Sequence, residues 1–198
     1  FERAIEINPD DAETNIEYAK TLSKYERNQE AQDVFSKVIS LDAQNSEAHI
    51  GLADSYMAEK AYDKAVVEYE KAVALDSEDE AALIKLGNAY KAMSQTKKAL
   101  EQYEKAVFLN IKNTDAMFNS GLCYAELKDY AKAKDSFNKV IAIDPNYAYA
   151  YYALGMAYET EKDYPKAIVN YEKFMTLSDD NDMKSQIKNQ VEYLKSKK

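Results

Sequence analysis

Apolar residues recur at spacings of three and four along nearly the whole chain, in stretches of about fourteen residues, the ordinary length of an amphipathic helix. The stretches come in pairs, and the pair repeats every 34 residues without an insertion. The pattern predicts first helices over 12–25, 46–59, 80–93, 114–127 and 148–161. Second helices are predicted over 28–41, 62–75, 96–109, 130–143 and 164–177. Breaks this short join antiparallel neighbours, so each pair reads as a helix hairpin.

Rows beginning at Ala12, Ser46, Glu80, Thr114 and Ala148 lay out the packing plan. One column is alanine throughout: Ala31, Ala65, Ala99, Ala133 and Ala167. Four residues further on stand Phe35, Tyr69, Tyr103, Phe137 and Tyr171. Another column holds Leu22, Tyr56, Tyr90, Tyr124 and Tyr158, with Gly87, Gly121 and Gly155 one turn before the last three. Small residues belong where helix backbones approach closely, and the rings then fill the gaps between hairpins.

These columns resemble the tetratricopeptide repeat (TPR) motif, Trp-x2-Leu-Gly-x2-Tyr, then Ala-x3-Phe, then Pro. Leu83, Leu86, Gly87, Tyr90, Ala99 and Tyr103 match it in row three, and Tyr151, Leu154, Gly155, Tyr158, Ala167 and Tyr171 in row five. Row four adds Met117, Ser120, Gly121, Tyr124, Ala133, Phe137 and Pro145. Rows one and two depart, with Ala19 and Ala53 in the glycine column, where the helix contact is expected to be looser. The resemblance implies an all-α fold, a right-handed α-solenoid of antiparallel helix hairpins. Repeats fall at 12–45, 46–79, 80–113, 114–147 and 148–181 of a single domain, 1–198.

Phe1, Ala4 and Pro9 match the second half of a repeat, so 1–11 is expected to be a truncated repeat of a longer protein. Met183, Ile187, Val191 and Leu194 recur with polar residues between them, predicting a capping helix over 182–198. Asp63, Asp129 and Asp163 stand where they can cap second helices, and Pro165 suits a first turn. The acidic runs 76–80 and 179–182 precede or open helices.

Composition narrows the function. Four glycines and three prolines in 198 residues leave little room for hairpin turns, which nearly excludes an all-β fold. The net charge of −9 would repel a nucleic-acid backbone or an anionic membrane surface. The excess is uneven: residues 1–99 carry 12 basic and 20 acidic groups, residues 100–198 carry 14 and 15. A lone Cys123 excludes an internal disulfide, and no run of about eighteen apolar residues predicts a membrane span. The compartment stays open, with the cytoplasm slightly favoured.

No phosphate-binding loop, His-Glu-x-x-His pattern or nucleophile elbow occurs, so no enzyme activity, cofactor or metal is expected. His49 is expected to be a packed, partly exposed ring, and Cys123 a small buried hydrophobe. Asp179, Asp180 and Asp182 lack the glycine and distal glutamate of a calcium loop.

What remains is surface. TPR proteins, which the chain resembles, generally hold peptides against the exposed side of each first helix. There, Ile16, Ile50, Ile84, Phe118 and Tyr152 form an apolar column, and Lys20, Asp54, Asn88, Leu122 and Met156 a neighbouring one that turns apolar toward the C-terminus. Tyr149 adds a ring. Asn88 and Asn119 resemble the asparagine pair of the TPR carboxylate clamp, but Ile84, Tyr149 and Ala153 replace its cations, so recognition of a terminal carboxylate loses its main electrostatic contribution.

The candidate peptide-binding residues are therefore Ile84, Asn88, Phe118, Asn119, Leu122, Tyr149, Tyr152 and Met156. Against this stands packing of Phe118, Leu122, Tyr152 and Met156 on adjacent helices. The leading expectation is a non-enzymatic module that binds a peptide or helical segment of a partner protein, without nucleic acid and without membrane insertion. The alternative is the targeting or regulatory arm of a larger enzyme or sensor, and self-association through Phe1 and Ile5 is a further expectation.

Overall fold

The computed structural model describes residue 3 and residues 7–197, so the expectations resting on Phe1, Ala4 and Ile5 lie outside the described residues. Within them the chain is an all-α solenoid of helix hairpins with eleven helices and no strand. The chain divides into two compact units, Phe1–Leu109 and Asn110–Lys198. The first contains α1 (Ala12–Lys24), α2 (Asn28–Leu41), α3 (Ser46–Ala58), α4 (Tyr62–Leu75), α5 (Glu80–Ala92) and α6 (Thr96–Leu109). The second contains α7 (Thr114–Glu126), α8 (Tyr130–Ile143), α9 (Ala148–Thr160), α10 (Tyr164–Leu177) and α11 (Asn181–Lys195).

All second helices span the predicted residues, and the first helices end one residue earlier than predicted. The cause is the turn that follows. Glu26, Lys60, Ser94, Lys128 and Lys162 adopt left-handed backbone conformations, with φ of 60°, 60°, 57°, 65° and 64°. Each is the residue after a helix C-cap, and the next N–H reaches back five residues, as from Asp129 to the Tyr124 carbonyl and from Asp163 to that of Tyr158, both at 2.9 Å. This Schellman geometry satisfies the last carbonyls of the helix and reverses the chain.

The breaks between hairpins use another repeated device. Asp42, Asp76, Asn110 and Asp144 accept the backbone N–H two residues on, at 2.9 to 3.0 Å. Three residues later Asp11, Asn45, Asp79 and Asn113 form the matching column of first-helix caps, accepting N–H groups at 2.8 to 3.0 Å. Tyr147 interrupts this column without a side-chain cap. Asp129 and Asp163 cap α8 and α10 as expected. Asp63 does not cap: Ala61 precedes α4, and Asp63 lies inside the first turn, where its charge meets the positive end of the helix dipole.

Inside each hairpin the small residues sit where contact is closest. A Cβ on Gly87, Gly121 or Gly155 would stand 2.5 to 2.6 Å from the ring of Tyr103, Phe137 or Tyr171. Row one solves the same problem differently. Ala19 occupies the glycine column, and the Phe35 ring lies instead against Gly51 of the next hairpin, 2.3 Å from where a Cβ would be. In the second unit, α11 buries Ile187, Val191 and Leu194 with Ala167, Ile168, Tyr171 and Phe174.

Candidate functional site

Helix α9 has two unlike faces. Ala150, Ala153, Leu154, Gly155 and Ala157 are buried, whereas Tyr149 and Met156 are each 48% exposed and Tyr152 lies half-buried between them. On α7, Leu122 is exposed and Phe118 half-buried. The rings divide their contacts. Phe118 lies 5.6 Å from the Phe137 centroid and 5.2 Å from that of Tyr147, and Tyr152 lies 6.0 Å from Tyr171 and 5.5 Å from Phe174. Phe118 and Tyr152 thus pack one side on aromatics of the fold. Tyr149 also meets the Phe174 ring, at 6.0 Å, yet like Met156 and Leu122 it stays exposed.

Two clefts adjoin along this face of α9 and share Met156 and Thr160. One, of about 270 Å³, is floored by Phe137, Ala153 and Ala157 and walled by Leu122 and Met156. The other, of about 530 Å³, lies between Tyr152 and Met156 on one side and Gln186, Ile187 and Gln190 of α11 on the other. Its polar centre is Glu159, which accepts the Tyr171 hydroxyl at 2.7 Å and the Gln190 amide. Burial, together with this carboxylate, pushes the Tyr171 phenol well above its ordinary range.

A third cleft, of about 440 Å³, opens at the start of α9 beside Tyr147, Tyr149, Asp144, Asp179 and Asp180. Tyr147 donates to Asp115 at 3.1 Å, and burial with that neighbouring charge pushes its phenol up to about 12.

The remaining candidates behave differently. Ile84 is half-buried and Asn88 exposed, both on α5 of the first unit, so they fall in a different compact unit from the α7 and α9 residues. Asn88 Oδ1 is already engaged by the Tyr103 hydroxyl at 2.7 Å, which leaves its amide N–H groups as the available donors. Asn119 is half-buried on α7. Ile16, expected to continue the surface column, is instead 4% exposed and part of the core.

Polar pairs occupy the equivalent surface of the first unit. Lys20 contacts Glu17 and Glu47, and Lys85 contacts Asp54. The sequence did not signal these pairs, because their partners are 27 and 31 residues apart in two of the three.

His49 is more buried than expected, at 3% exposure. Its Nδ1 lies 2.7 Å from Glu68 Oε2 and its Nε2 3.2 Å from the Ala43 carbonyl, so both ring nitrogens are committed within the fold. Cys123 is buried on α7. Among the described residues no cluster of side chains could hold a metal ion, and no helix is long and apolar enough to cross a membrane.

Family models described as tetratricopeptide repeat match residues 24–68, 81–110, 114–147 and 136–169, and one described as TPR repeat matches 53–94. Together they span well over half of the sequence. The chain belongs to the tetratricopeptide repeat family. No curated protein matches it.

Among solved structures, this TPR chain is similar to YrrB, described as a TPR protein with an unusual peptide-binding site, at 29% identity and a TM-score of 0.82, covering 96% of this chain and 97% of that one. It is similar to MamA at 26% identity and a TM-score of 0.77, covering 80% and 92%. A Pseudomonas aeruginosa protein, PilF, shares the fold at 20% identity and a TM-score of 0.78, covering 93% and 84%.

Proposed function

We propose that this TPR protein is a non-enzymatic interaction module that holds a peptide segment of a partner protein along α9 and α7 of its second unit. The carrying observation is the uncovered apolar stripe of Leu122, Met156 and Tyr149, flanked by clefts large enough for side chains. Leu122 and Met156 supply the pocket walls, Tyr149 and Tyr152 present rings with one polar handle, and Phe118 stiffens the pocket floor from behind through Phe137. Asn119 is the amide nearest this stripe in sequence, while Ile84 and Asn88 are candidates on the first unit taken by itself. The similarity to YrrB, a protein described by its peptide-binding site, supports the same reading.

The test is an array of twelve-residue peptides probed with the full chain, followed by titration of the selected peptides. Replacing Leu122 and Met156 together by serine is expected to weaken them by about tenfold or more. Both side chains are substantially exposed, so the thermal midpoint should hold. Selected peptides that bind the variant as well as the parent would overturn this reading.

A further inference from the structure

Helix α6 carries a ring that the fold does not use. Phe108 is 85% exposed, more than any other aromatic side chain among the described residues. Its column holds Ser40, Ala74, Ala142 and Thr176 in the other rows, all small and all exposed. The position therefore faces solvent in every hairpin and asks for no large side chain. A phenylalanine left in water forgoes most of the gain that its burial would give.

A cleft of about 360 Å³ opens beside the ring. It is lined by Glu101, Glu104, Lys105 and Leu109 of α6 and by Ser77 between α4 and α5, all within the first unit. Knob and cleft thus lie side by side on one helix. A two-fold rotation of one copy onto another places each ring in the other's cleft, which is what an isologous contact requires.

Charge selects the same face. Residues 1–95 carry 10 basic and 20 acidic groups, so most of the first unit repels a second copy. Helix α6, with three lysines and two glutamates, escapes that repulsion. Lys105 pairs with Glu101 of its own helix at 2.8 Å, and both side chains are more than half exposed. In a two-fold contact each lysine can reach the other copy's glutamate instead, so the exchange leaves no charge without its opposite.

We propose that the occupant of this face is a second copy of the chain, joined through Phe108 in a two-fold dimer. The inference is independent of the peptide-binding reading, whose stripe belongs to the second unit. At 85% exposure each ring contributes about 170 Å², taking about 200 Å² for a whole phenylalanine, and the two rings together about 340 Å². A stable interface of standard size buries about 1,600 Å². The dimer is therefore weak and concentration-dependent, with a dissociation constant of about 100 µM.

The experiment is sedimentation equilibrium of the full chain between about 10 µM and about 1 mM, a range that brackets this constant. The expected result is a shift from monomer to dimer and no further. Phe108→Ser should weaken the dimer by about tenfold or more. The melting curve should hold, because so exposed a side chain contributes little to the fold. Lys105→Glu should weaken the dimer by about threefold, and adding Glu101→Lys should restore it.

A chain that stays monomeric throughout would overturn the proposal. So would a dimer indifferent to Phe108→Ser, or one that Met156→Ser dissolves instead, since either places the contact elsewhere. Growth beyond the dimer would mean a head-to-tail contact and refute the two-fold arrangement. Failure of Glu101→Lys to rescue Lys105→Glu would refute the pairing of charges across it.

Discussion

Gly121→Ala tests whether close approach, rather than a helix preference, dictates glycine in the first helices. The new Cβ would stand 2.6 Å from Phe137 Cε1 and 2.9 Å from Cδ1, whereas carbon atoms rest about 3.5 Å apart. Phe137 is 1% exposed and backed by the Phe118 ring at 5.6 Å, so it has little room to retreat. Overpacking of this kind costs about 1–3 kcal/mol. The gain in helix propensity from glycine to alanine offsets about 1 kcal/mol, leaving a net loss of up to about 2 kcal/mol.

Urea unfolding followed by helicity should therefore show a midpoint lowered by up to about 0.7 M, taking a slope of about 3 kcal/mol per molar. Helicity is the appropriate signal because neighbouring repeats can unfold separately. Adding Phe137→Leu should recover part of the Gly121→Ala loss relative to Phe137→Leu alone. A midpoint raised by Gly121→Ala, or no coupling between the two sites, would refute the reasoning.

Lys128→Gly, at a residue with φ of 65°, should stabilise the chain by up to about 1 kcal/mol by removing left-handed strain, and an unchanged urea midpoint would show none to relieve. Asn113→Ala should cost about 1 kcal/mol by freeing the Ala116 N–H, whereas Asn113→Asp should preserve the cap; equal losses in thermal unfolding would contradict this. In alkaline titration Tyr69, Tyr90, Tyr147 and Tyr171 should ionise later than ordinary phenols, chiefly through burial. Because these folded-state values are raised, their stabilisation is complete below about pH 10 and is lost as the pH climbs, with Tyr147 passing at about 12. All seventeen tyrosines titrating together while helicity persists would disprove it.

The hairpin plan was legible because the 34-residue period repeats the same backbone problem five times, and the alanine, aromatic and glycine columns are its answers. Devices that any of several residues can perform were harder to read. The left-handed turn column holds Glu26, Lys60, Ser94, Lys128 and Lys162, which share polarity but neither charge nor size, and Asp63 stood two residues from where a cap would be needed. The candidate surface was legible as a stripe on α9, since Tyr149 and Met156 fell outside the columns used for packing. Exposure within a column was not legible. Ile16 and Ile84 are the same residue in the same column, yet one is in the core and the other half-buried, because exposure depends on neighbouring rows.

The final helix follows from the same register and completes the candidate surface. Carried forward by one period, Met117, Ser120, Gly121 and Tyr124 of α7, and then Tyr151, Leu154, Gly155 and Tyr158 of α9, correspond to Ser185, Lys188, Asn189 and Glu192 of α11. In α7 and α9 these positions turn toward the helix's own hairpin partner. In α11 all four are polar and exposed. The positions that meet the preceding hairpin are Ile187 and Val191, and both are buried. Helix α11 is thus a first helix whose partner face has been made polar. The same shift puts Gln186 in the column of Phe118 and Tyr152, so the apolar column ends in an amide at the wall of the 530 Å³ cleft. Ile187, buried against α10, therefore sits beside a residue that changes the chemistry of the surface, from aromatic over α9 to hydrogen-bonding over α11. A bound peptide would meet that change of character at Tyr152.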